Sequence, residues 1–154
     1  MIVVSDTSPL NYLILTDLDH LLPRLFGRIV IPQAVIDELI SLRAPQKVKS
    51  WVDALPGWLE VLAALAIDPA LSHLGPGERE AICLAERLGA DLVLLDEAKA
   101  REVARQRGIA VVGTLAILDR AAAQGIVDLR EALERLQRTT FRASPRVLAT
   151  LKRR

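Results

Sequence analysis

The sequence predicts an α/β protein, a three-layer α/β/α sandwich built on a central parallel sheet. Short apolar runs rich in Val, Ile and Leu alternate along the chain with amphipathic helical patterns, and this alternation favours parallel strands with helices on both faces. Hydrophobic residues make up 51% of the 154 residues and are mostly aliphatic, which is typical of a globular core. We expect one domain over residues 1–154, with a basic helical tail from about residue 139.

The bulk composition excludes several classes of protein. Cys83 is the single cysteine, so neither an internal disulfide nor a cysteine-based zinc site can form. His20 and His73 have no second histidine or cysteine nearby and are expected at the surface. No basic leader precedes the first apolar run and no run approaches the roughly 20 residues of a membrane span, so we expect a cytoplasmic protein without a membrane segment. The net charge is +1, so any contact with nucleic acid must come from a local patch.

The first half of the chain opens on the buried strand Ile2–Ser5 and a helix Pro9–Leu15, which Thr7 or Ser8 can cap. The elements expected next are a helix Leu18–Leu25, a strand Arg28–Ile31, helices Gln33–Leu42 and Pro45–Leu55, and an edge strand Trp58–Leu62. The inward stripes of the two later helices are Val35, Leu39 and Leu42, then Val48, Trp51, Val52 and Leu55.

The second half starts with a loop over Ala63–Leu74 that contains a helical turn, and Gly75-Pro76-Gly77 then breaks the chain. A clear helix Glu78–Leu88 follows, with Gly89 as its C-cap. The remaining elements are a strand Asp91–Leu95, a helix Glu97–Arg107, a strand Ile109–Val112, a helix Leu115–Ala123, a helix Leu129–Arg138 capped by Asp128, and a last helix from Ser144-Pro145 to Arg154.

Two acids follow strand runs directly. Asp6 ends the run Ile2–Ser5, and Asp96 ends the run Leu92–Leu95. Since parallel strands of one sheet point the same way, both acids should lie at the carboxyl-end rim, where open α/β sheets form their sites. Each acid also has an ordinary interpretation of about equal weight, in which it caps the next helix.

Two glutamates border buried helix faces. Glu38 neighbours Val35 and Leu42 on the predicted helix, whereas Asp37 is rotated away from that stripe. Glu78 lies one turn before the inward-facing pair Ala81-Ile82, and Glu80 lies to the side. The alternative for Glu78 is simple stabilisation of a helix N-terminus, worth about 0.3–1 kcal/mol.

Asp6, Glu38, Glu78 and Asp96 would repel one another if they converged, and each would raise the pKa of the others. A divalent cation would neutralise them, and carboxylate-rich oxygen sites suit Mg²⁺ or Mn²⁺. Such a site can activate water against a phosphodiester bond. Convergence of the four acids is the hypothesis that the structure must test.

With these motifs in order, the chain resembles PIN-domain proteins and is similar to the VapC-like ribonuclease toxins of prokaryotic toxin–antitoxin pairs, in a poorly characterised branch. The motifs that carry the resemblance are residues 4–10 (VSDTSPL), 31–39 (IPQAVIDEL), 77–82 (GEREAI), 94–97 (LLDE) with Ala100-Arg101, and 112–115 (VGTL) with Ile117-Leu118. They span most of the chain up to about Gly125.

The resemblance implies a PIN-like sandwich with an acidic pocket that binds Mg²⁺ or Mn²⁺. By position, Asp6 matches the first metal-binding aspartate, Glu38 the helix glutamate, and Asp96 the later strand-end acid, with Glu97 as its adjacent alternative. Ser8 matches a small polar residue that orients the site. Thr114, at a helix N-cap, either supports the site or is an ordinary cap. At Glu78 the sequence departs from the pattern, because many members carry Asp there.

The first functional hypothesis is therefore a metal-dependent ribonuclease, a toxin with an RNA substrate, an antitoxin partner and a homodimeric assembly. The second keeps the fold without catalysis, as an interaction module that binds an antitoxin or RNA. An aspartyl-phosphate enzyme or receiver ranks third, because Ser8 stands where a phosphatase needs a second aspartate and the strand before Gly113 ends without a lysine.

Two surface features keep alternatives open. The helix Leu115–Ala123 is apolar enough to form a dimer surface, or equally to belong to the core. Basic residues could contact phosphates or could simply be solvated; they are Arg79, Lys99 and Arg101 near the rim, and Arg142, Arg146 and Lys152–Arg154 in the tail.

Overall fold

A computed structural model describes residues 1–143 and 145–152. The strands are β1 Val3–Ser5, β2 Ile29–Pro32, β3 Leu59–Leu62, β4 Leu92–Leu94 and β5 Val111–Val112. The helices are α1 Thr7–Leu15, α2 Leu21–Phe26, α3 Gln33–Leu39, α4 Gln46–Val52, α5 Pro76–Leu88, α6 Ala98–Gln106, α7 Thr114–Ala123, α8 Leu129–Gln137 and α9 Pro145–Lys152. The expected turn in the loop before α5 is a 3₁₀ turn at Pro69–Leu71.

The strands form one parallel sheet in the order β3-β2-β1-β4-β5, which confirms the predicted sandwich. β1 is central, with β2 on one side and β4 on the other. The chain fills the β2 side first and then crosses through α5 to β4, so the strand order reverses next to β1. Crevices open at such reversals, beyond the carboxyl ends of the strands, and the residues after β1 and β4 lie there.

Alternation along each strand divides the core into two layers. Val3 packs into one layer with helices α1, α7 and α8, whereas Val4 packs into the other with α5 and α6. Because both faces of the sheet are covered, the strands are apolar on both sides, as the continuous runs in the sequence predict. The two cores fix the strand ends, and with them the side chains that follow.

Two predicted helices are too long. α3 ends at Leu39 and α4 at Val52, so Leu42 is 98% exposed and Leu55 is 40% exposed, and neither belongs to an inward stripe. The chain turns over Ser41–Ala44 instead, where the amide of Ala44 donates to Ser41. Pro45 and Pro56 stop the two predicted helices from continuing, because the residue before a proline is disfavoured in the helical conformation.

Several other boundaries shift by one to three residues. α2 begins at Leu21 rather than Leu18, and α5 begins at Pro76 rather than Glu78. Position 6, not Thr7 or Ser8, is the N-cap of α1, and Gly113, not Thr114, is the N-cap of α7. The predicted caps Gly89, which is left-handed at φ 61°, and Asp128, which accepts from the amide of Glu131, are confirmed.

The helix Leu115–Ala123 contributes to the core, since Ile117, Leu118 and Ala121 are buried. Of the predicted last helix, Pro145–Lys152 is present, while Ser144, Arg153 and Arg154 lie outside the described residues. His20 and His73 are exposed, as predicted. Within residues 1–143 and 145–152, no helix has the length and apolar character needed to cross a membrane.

Candidate metal centre

Asp6 lies at the centre of the candidate site. It follows β1 directly, its amide donates to the carbonyl of Leu94 in β4, and its side chain does not cap α1. The residue is only 4% exposed, and its Oδ1 atom is buried without a hydrogen-bond partner among the described residues. A buried carboxylate oxygen without a partner is costly, so this atom calls for a ligand, a proton or a cation.

The surroundings of Asp6 make its ionisation unfavourable. Burial, which removes the carboxylate from water, raises the pKa of Asp6 from 3.8 to about 8. The backbone amide of Thr7 opposes that rise, while the negative charges of Glu78, Glu38 and Asp96 add to it. The same three acids that the sequence singles out therefore lie close enough to Asp6 to act on its charge.

Glu38 is held against Asp6 by two donors. In α3, its Oε1 accepts from the Thr7 hydroxyl and its Oε2 accepts from the Gly77 amide at 2.9 Å. A Cβ atom at position 77 would lie 2.8 Å from Asp6 Oδ1 and closer still to Glu38 Oε1. The two carboxylates therefore approach each other only because residue 77 has no side chain.

Glu78 is half-buried at the start of α5, and it is both a cap and a neighbour of the site. Its Oε1 accepts from the Gly75 amide at 3.0 Å, which stabilises the helix N-terminus as the alternative interpretation expected. Burial raises the pKa of Glu78, and the charges of Glu97 and Glu38 raise it further. Glu80 lies elsewhere, accepting from the amide of Ala34.

Asp96 is satisfied by one residue. Its Oδ1 accepts from the Thr114 amide at 2.6 Å and its Oδ2 from the Thr114 hydroxyl at 2.7 Å. Burial raises the pKa of Asp96, although these bonds and the charge of Arg101 lower it. Thr114 thus orients Asp96 at the start of α7. A Cβ atom at Gly113 would lie 3.0 Å from Asp96 Oδ1, so this glycine also allows a close approach.

Glu97 and Ser8 are more peripheral. Glu97 is exposed and caps α6 by accepting from the Ala100 amide at 2.9 Å, although its charge still reaches Glu78. Ser8 is partly buried in the first turn of α1, and no hydrogen bond within the described chain joins its hydroxyl to the acids.

A family model for the PIN domain matches residues 2–154. The chain belongs to the PIN-domain family. PIN domains are typically nucleases, which makes a hydrolase acting on nucleic acid the general expectation, and PIN-domain nucleases generally use divalent metal ions. No curated protein matches the sequence.

The four acids of this PIN domain lie close together, but within the described chain they do not form a complete set of metal ligands. Among the described residues, no group of three or more His, Cys, Asp or Glu side chains is arranged to hold a metal ion. The donor chemistry nevertheless fits a hard cation, because Asp6 Oδ1 has no partner and each bonded carboxylate oxygen keeps a free lone pair. A cation would also remove the mutual repulsion that raises the pKa of Asp6.

Sequence reasoning missed four residues that shape this PIN-domain site: Thr7, Gly77, Arg101 and Gly113. Gly77 and Gly113 stood inside the family motifs, each beside a predicted site residue, but nothing in one sequence shows which atoms approach them. The sequence indicates Thr7 only as a helix cap, whereas in the structure its hydroxyl donates to Glu38. Arg101 was considered only as a rim cation, although its Nη1 would lie 3.2 Å from a Cβ at Gly113.

Proposed function

We propose that the protein is a metal-dependent endoribonuclease, the toxin of a toxin–antitoxin pair, which hydrolyses RNA phosphodiester bonds with Mg²⁺ or Mn²⁺ held by Asp6, Glu38, Glu78 and Asp96. One observation carries the proposal. The Asp6 Oδ1 atom is buried and unpaired, and three further acids act on it at the carboxyl ends of β1 and β4. In a PIN domain, a nuclease fold, this is the arrangement that a divalent cation would complete.

Each acid has a distinct task in this proposal. Asp6 and Glu38, which face each other across Gly77, would hold the cation, with Glu78 and Asp96 at its sides. A bound divalent ion supplies positive charge that polarises the phosphodiester and favours ionised water. The protein keeps the carboxylates apart in fixed directions, Glu38 through Thr7 and Gly77, and Asp96 through Thr114.

The biological setting is part of the proposal and rests on the resemblance to VapC-like toxins. We expect a cytoplasmic homodimer that an antitoxin protein holds inactive. Induced expression in a bacterial host tests this setting: the wild-type protein should arrest growth, and Asp6→Asn should not. Growth unaffected by a soluble, RNA-cleaving wild-type protein would contradict the toxin role and leave the nuclease intact.

Cleavage of a labelled structured RNA by purified protein tests the activity. We expect cutting that requires Mg²⁺ or Mn²⁺, stops with a chelator, and falls by roughly a hundred- to a thousandfold in Asp6→Asn, because a bound metal contributes several kcal/mol to transition-state stabilisation. Equal cutting by wild type and Asp6→Asn would identify a contaminating nuclease and contradict the proposal.

A second function is favoured by a specific observation. Glu78, where many relatives carry Asp, has one oxygen committed to the Gly75 amide, and no three of the acids in the described chain are arranged as ligands. An inactive PIN-fold module that binds an antitoxin or RNA would show these features. Absence of both metal binding and RNA cleavage would favour it over the nuclease.

A further inference from the structure

A pocket opens directly beside Asp96 and Thr114. Its volume is about 410 Å³, and its walls include the start of α7, residues 141–143, and Val147 and Leu151 of α9. Leu115, Phe141 and Leu151 make part of the lining apolar, while Arg101 and Arg142 supply positive charge. The pocket also includes the acid Asp119. This volume lies in the range of small-ligand pockets, about 300–1,000 Å³.

Arg101 has donor capacity that the protein does not use. Its Nε is buried without a hydrogen-bond partner in the described chain, and its Nη1 lies near the Cα of Gly113, on the wall of this pocket. The planar set of donors of a guanidinium group matches the oxygens of a phosphate. Arg101 therefore gives the pocket a positively charged wall beside Asp96.

A second pocket, of about 640 Å³, lies at the C-terminal end of α1, the nine-residue helix that starts beside Asp6 and is roughly 13 Å long. Three arginines and three threonines line it: Arg135, Arg138, Arg142, Thr16, Thr139 and Thr140. Its acid Asp17 is paired with Lys47 at 2.7 Å. The Arg135 side chain donates to the carbonyl of Thr16 and to Glu131, but the side chains of Arg138 and Arg142 donate to no described residue.

Arg142 borders both pockets and lies in the segment 138–143 that follows α8. This segment is fixed on α1: the Phe141 ring packs edge-on against Tyr12 at 5.0 Å, and the Tyr12 hydroxyl lies 3.2 Å from the Thr140 hydroxyl. Arginine side chains and threonine hydroxyls therefore form a run that leads from the acidic centre across the surface, and within it the side chains of Arg138 and Arg142 donate to no described residue.

We propose that this run is the path of the RNA substrate. A single-stranded part of the RNA leaves the acidic centre through the pocket beside Asp96, passes Arg142, and enters the pocket at the end of α1 and α8. Arginine and threonine side chains are usual phosphate contacts, and the apolar wall of the first pocket provides a surface for a base. This inference rests on the proposed function, since it assigns the substrate path of the same site.

Salt-dependent RNA binding tests the path directly. A fluorescent single-stranded RNA is titrated into Asp6→Asn protein with Mg²⁺, so that bound RNA is not cut, and anisotropy gives the affinity. Adding Arg138→Ala and Arg142→Ala should weaken binding about tenfold and reduce the slope of log affinity against log salt by about 1.4, because each lost phosphate contact on a single strand contributes about 0.7. Both arginines are exposed, so the variant should keep its melting temperature.

The matched control is Arg105→Ala. Arg105 is an exposed arginine on α6, it lines neither pocket, and its loss should leave the affinity and the salt slope unchanged. Equal losses in Arg105→Ala and in the double variant would reduce the effect to general charge and overturn the path. Unchanged binding in a folded double variant would overturn it as well.

Cleavage kinetics of the double variant in a protein that keeps Asp6 distinguish the proposed RNA path from the proposed nuclease activity. The double variant should raise KM about tenfold at unchanged kcat, because the arginines contact RNA remote from the reacting bond. Normal cleavage with an unchanged KM would overturn the path and leave the nuclease proposal standing. Loss of RNA binding in the double variant, in a protein whose wild type never cleaves RNA, would support the path and contradict the nuclease.

Discussion

The acidic centre, which consists of Asp6, Glu38, Glu78 and Asp96, has one half around Asp6 and another around Asp96. The two halves resemble each other in their packing against glycine but differ in their hydrogen bonds. In each half, a carboxylate approaches a glycine that leaves room for it, Asp6 at Gly77 and Asp96 at Gly113. Asp96 has both oxygens bonded to Thr114, whereas Asp6 has one buried oxygen with no partner in the described chain. The difference indicates that the Asp96 half is complete without a ligand and the Asp6 half is not.

The largest expected difference between the halves is in stability and its dependence on pH. The folded pKa of Asp6, about 8, lies above its unfolded value near 3.8, so the unfolded chain loses this proton first as pH rises. In the metal-free protein, burial of Asp6 therefore leaves the free energy of unfolding unchanged below about pH 4 and lowers it progressively as the pH rises to about 8. Asp6→Asn should raise the free energy of unfolding near pH 8 by several kcal/mol and leave it nearly unchanged near pH 4.

Chemical denaturation of the metal-free protein at the two pH values measures this effect. Asp53→Asn, which changes an exposed aspartate at the end of α4, is the control and should behave as wild type at both. An Asp6→Asn protein that is less stable than wild type near pH 8 would show that Asp6 is satisfied in the folded state.

Filling the space between Asp6 and Glu38 with a methyl group at position 77 should have the next largest effect. In Gly77→Ala the new methyl group would lie 2.8 Å from Asp6 Oδ1 and closer to Glu38, so the carboxylates must move apart. We expect a loss of about 1–3 kcal/mol in stability and a strong loss of metal affinity. Gly57→Ala is the matched control, since nothing lies within 4 Å of its added carbon. Thermal melts with and without Mn²⁺ compare the two, and a Gly77→Ala protein that binds Mn²⁺ normally would contradict the close pairing.

The smallest effect is expected in the Asp96 half. Thr114→Val removes the hydroxyl that donates to the half-buried Asp96 at 2.7 Å, and it should cost about 1 kcal/mol, the usual net contribution of one hydrogen bond. Thr114→Ser keeps that donor and should restore most of the lost stability. Urea denaturation compares the variants, and a Thr114→Val protein as stable as wild type, with a loss only in Thr114→Ser, would assign the stability to packing of the threonine methyl group and contradict the role of the hydroxyl.

The sequence predicted the sheet and the neighbourhood of the acids because both depend on local pattern. Continuous apolar runs identified β1 and β4, and parallel strands must bring Asp6 and Asp96 to one edge. Glu38 and Glu78 followed from their places beside buried helix faces. The lengths of α3 and α4 were wrong because Leu42 and Leu55 continue the apolar period of each helix. The turn before Pro45 ends the first period, and the turn before Pro56 ends the second.

What the sequence did not reveal depends on contacts between distant segments. The approach of Asp6 and Glu38 to Gly77 joins β1, α3 and α5, and no spacing within any one of them encodes that distance. The unpaired Nε of Arg101 and the two pockets that share Arg142 likewise arise where the C-terminal segment packs on α1 and α7. Such features appear only after the elements are placed together.

Isothermal titration calorimetry of Mn²⁺ into the wild-type and Asp6→Asn proteins tests the central claim, that Asp6 marks an unfinished cation site. Near pH 7 the Asp6 carboxyl is mostly protonated, since burial holds its pKa at about 8. Binding of Mn²⁺ should therefore release close to one proton. Titrations in two buffers of different ionisation enthalpy measure this release. Asp6→Asn should bind far more weakly and release none. No binding by wild type, or equal binding with no proton release in both proteins, would contradict the claim.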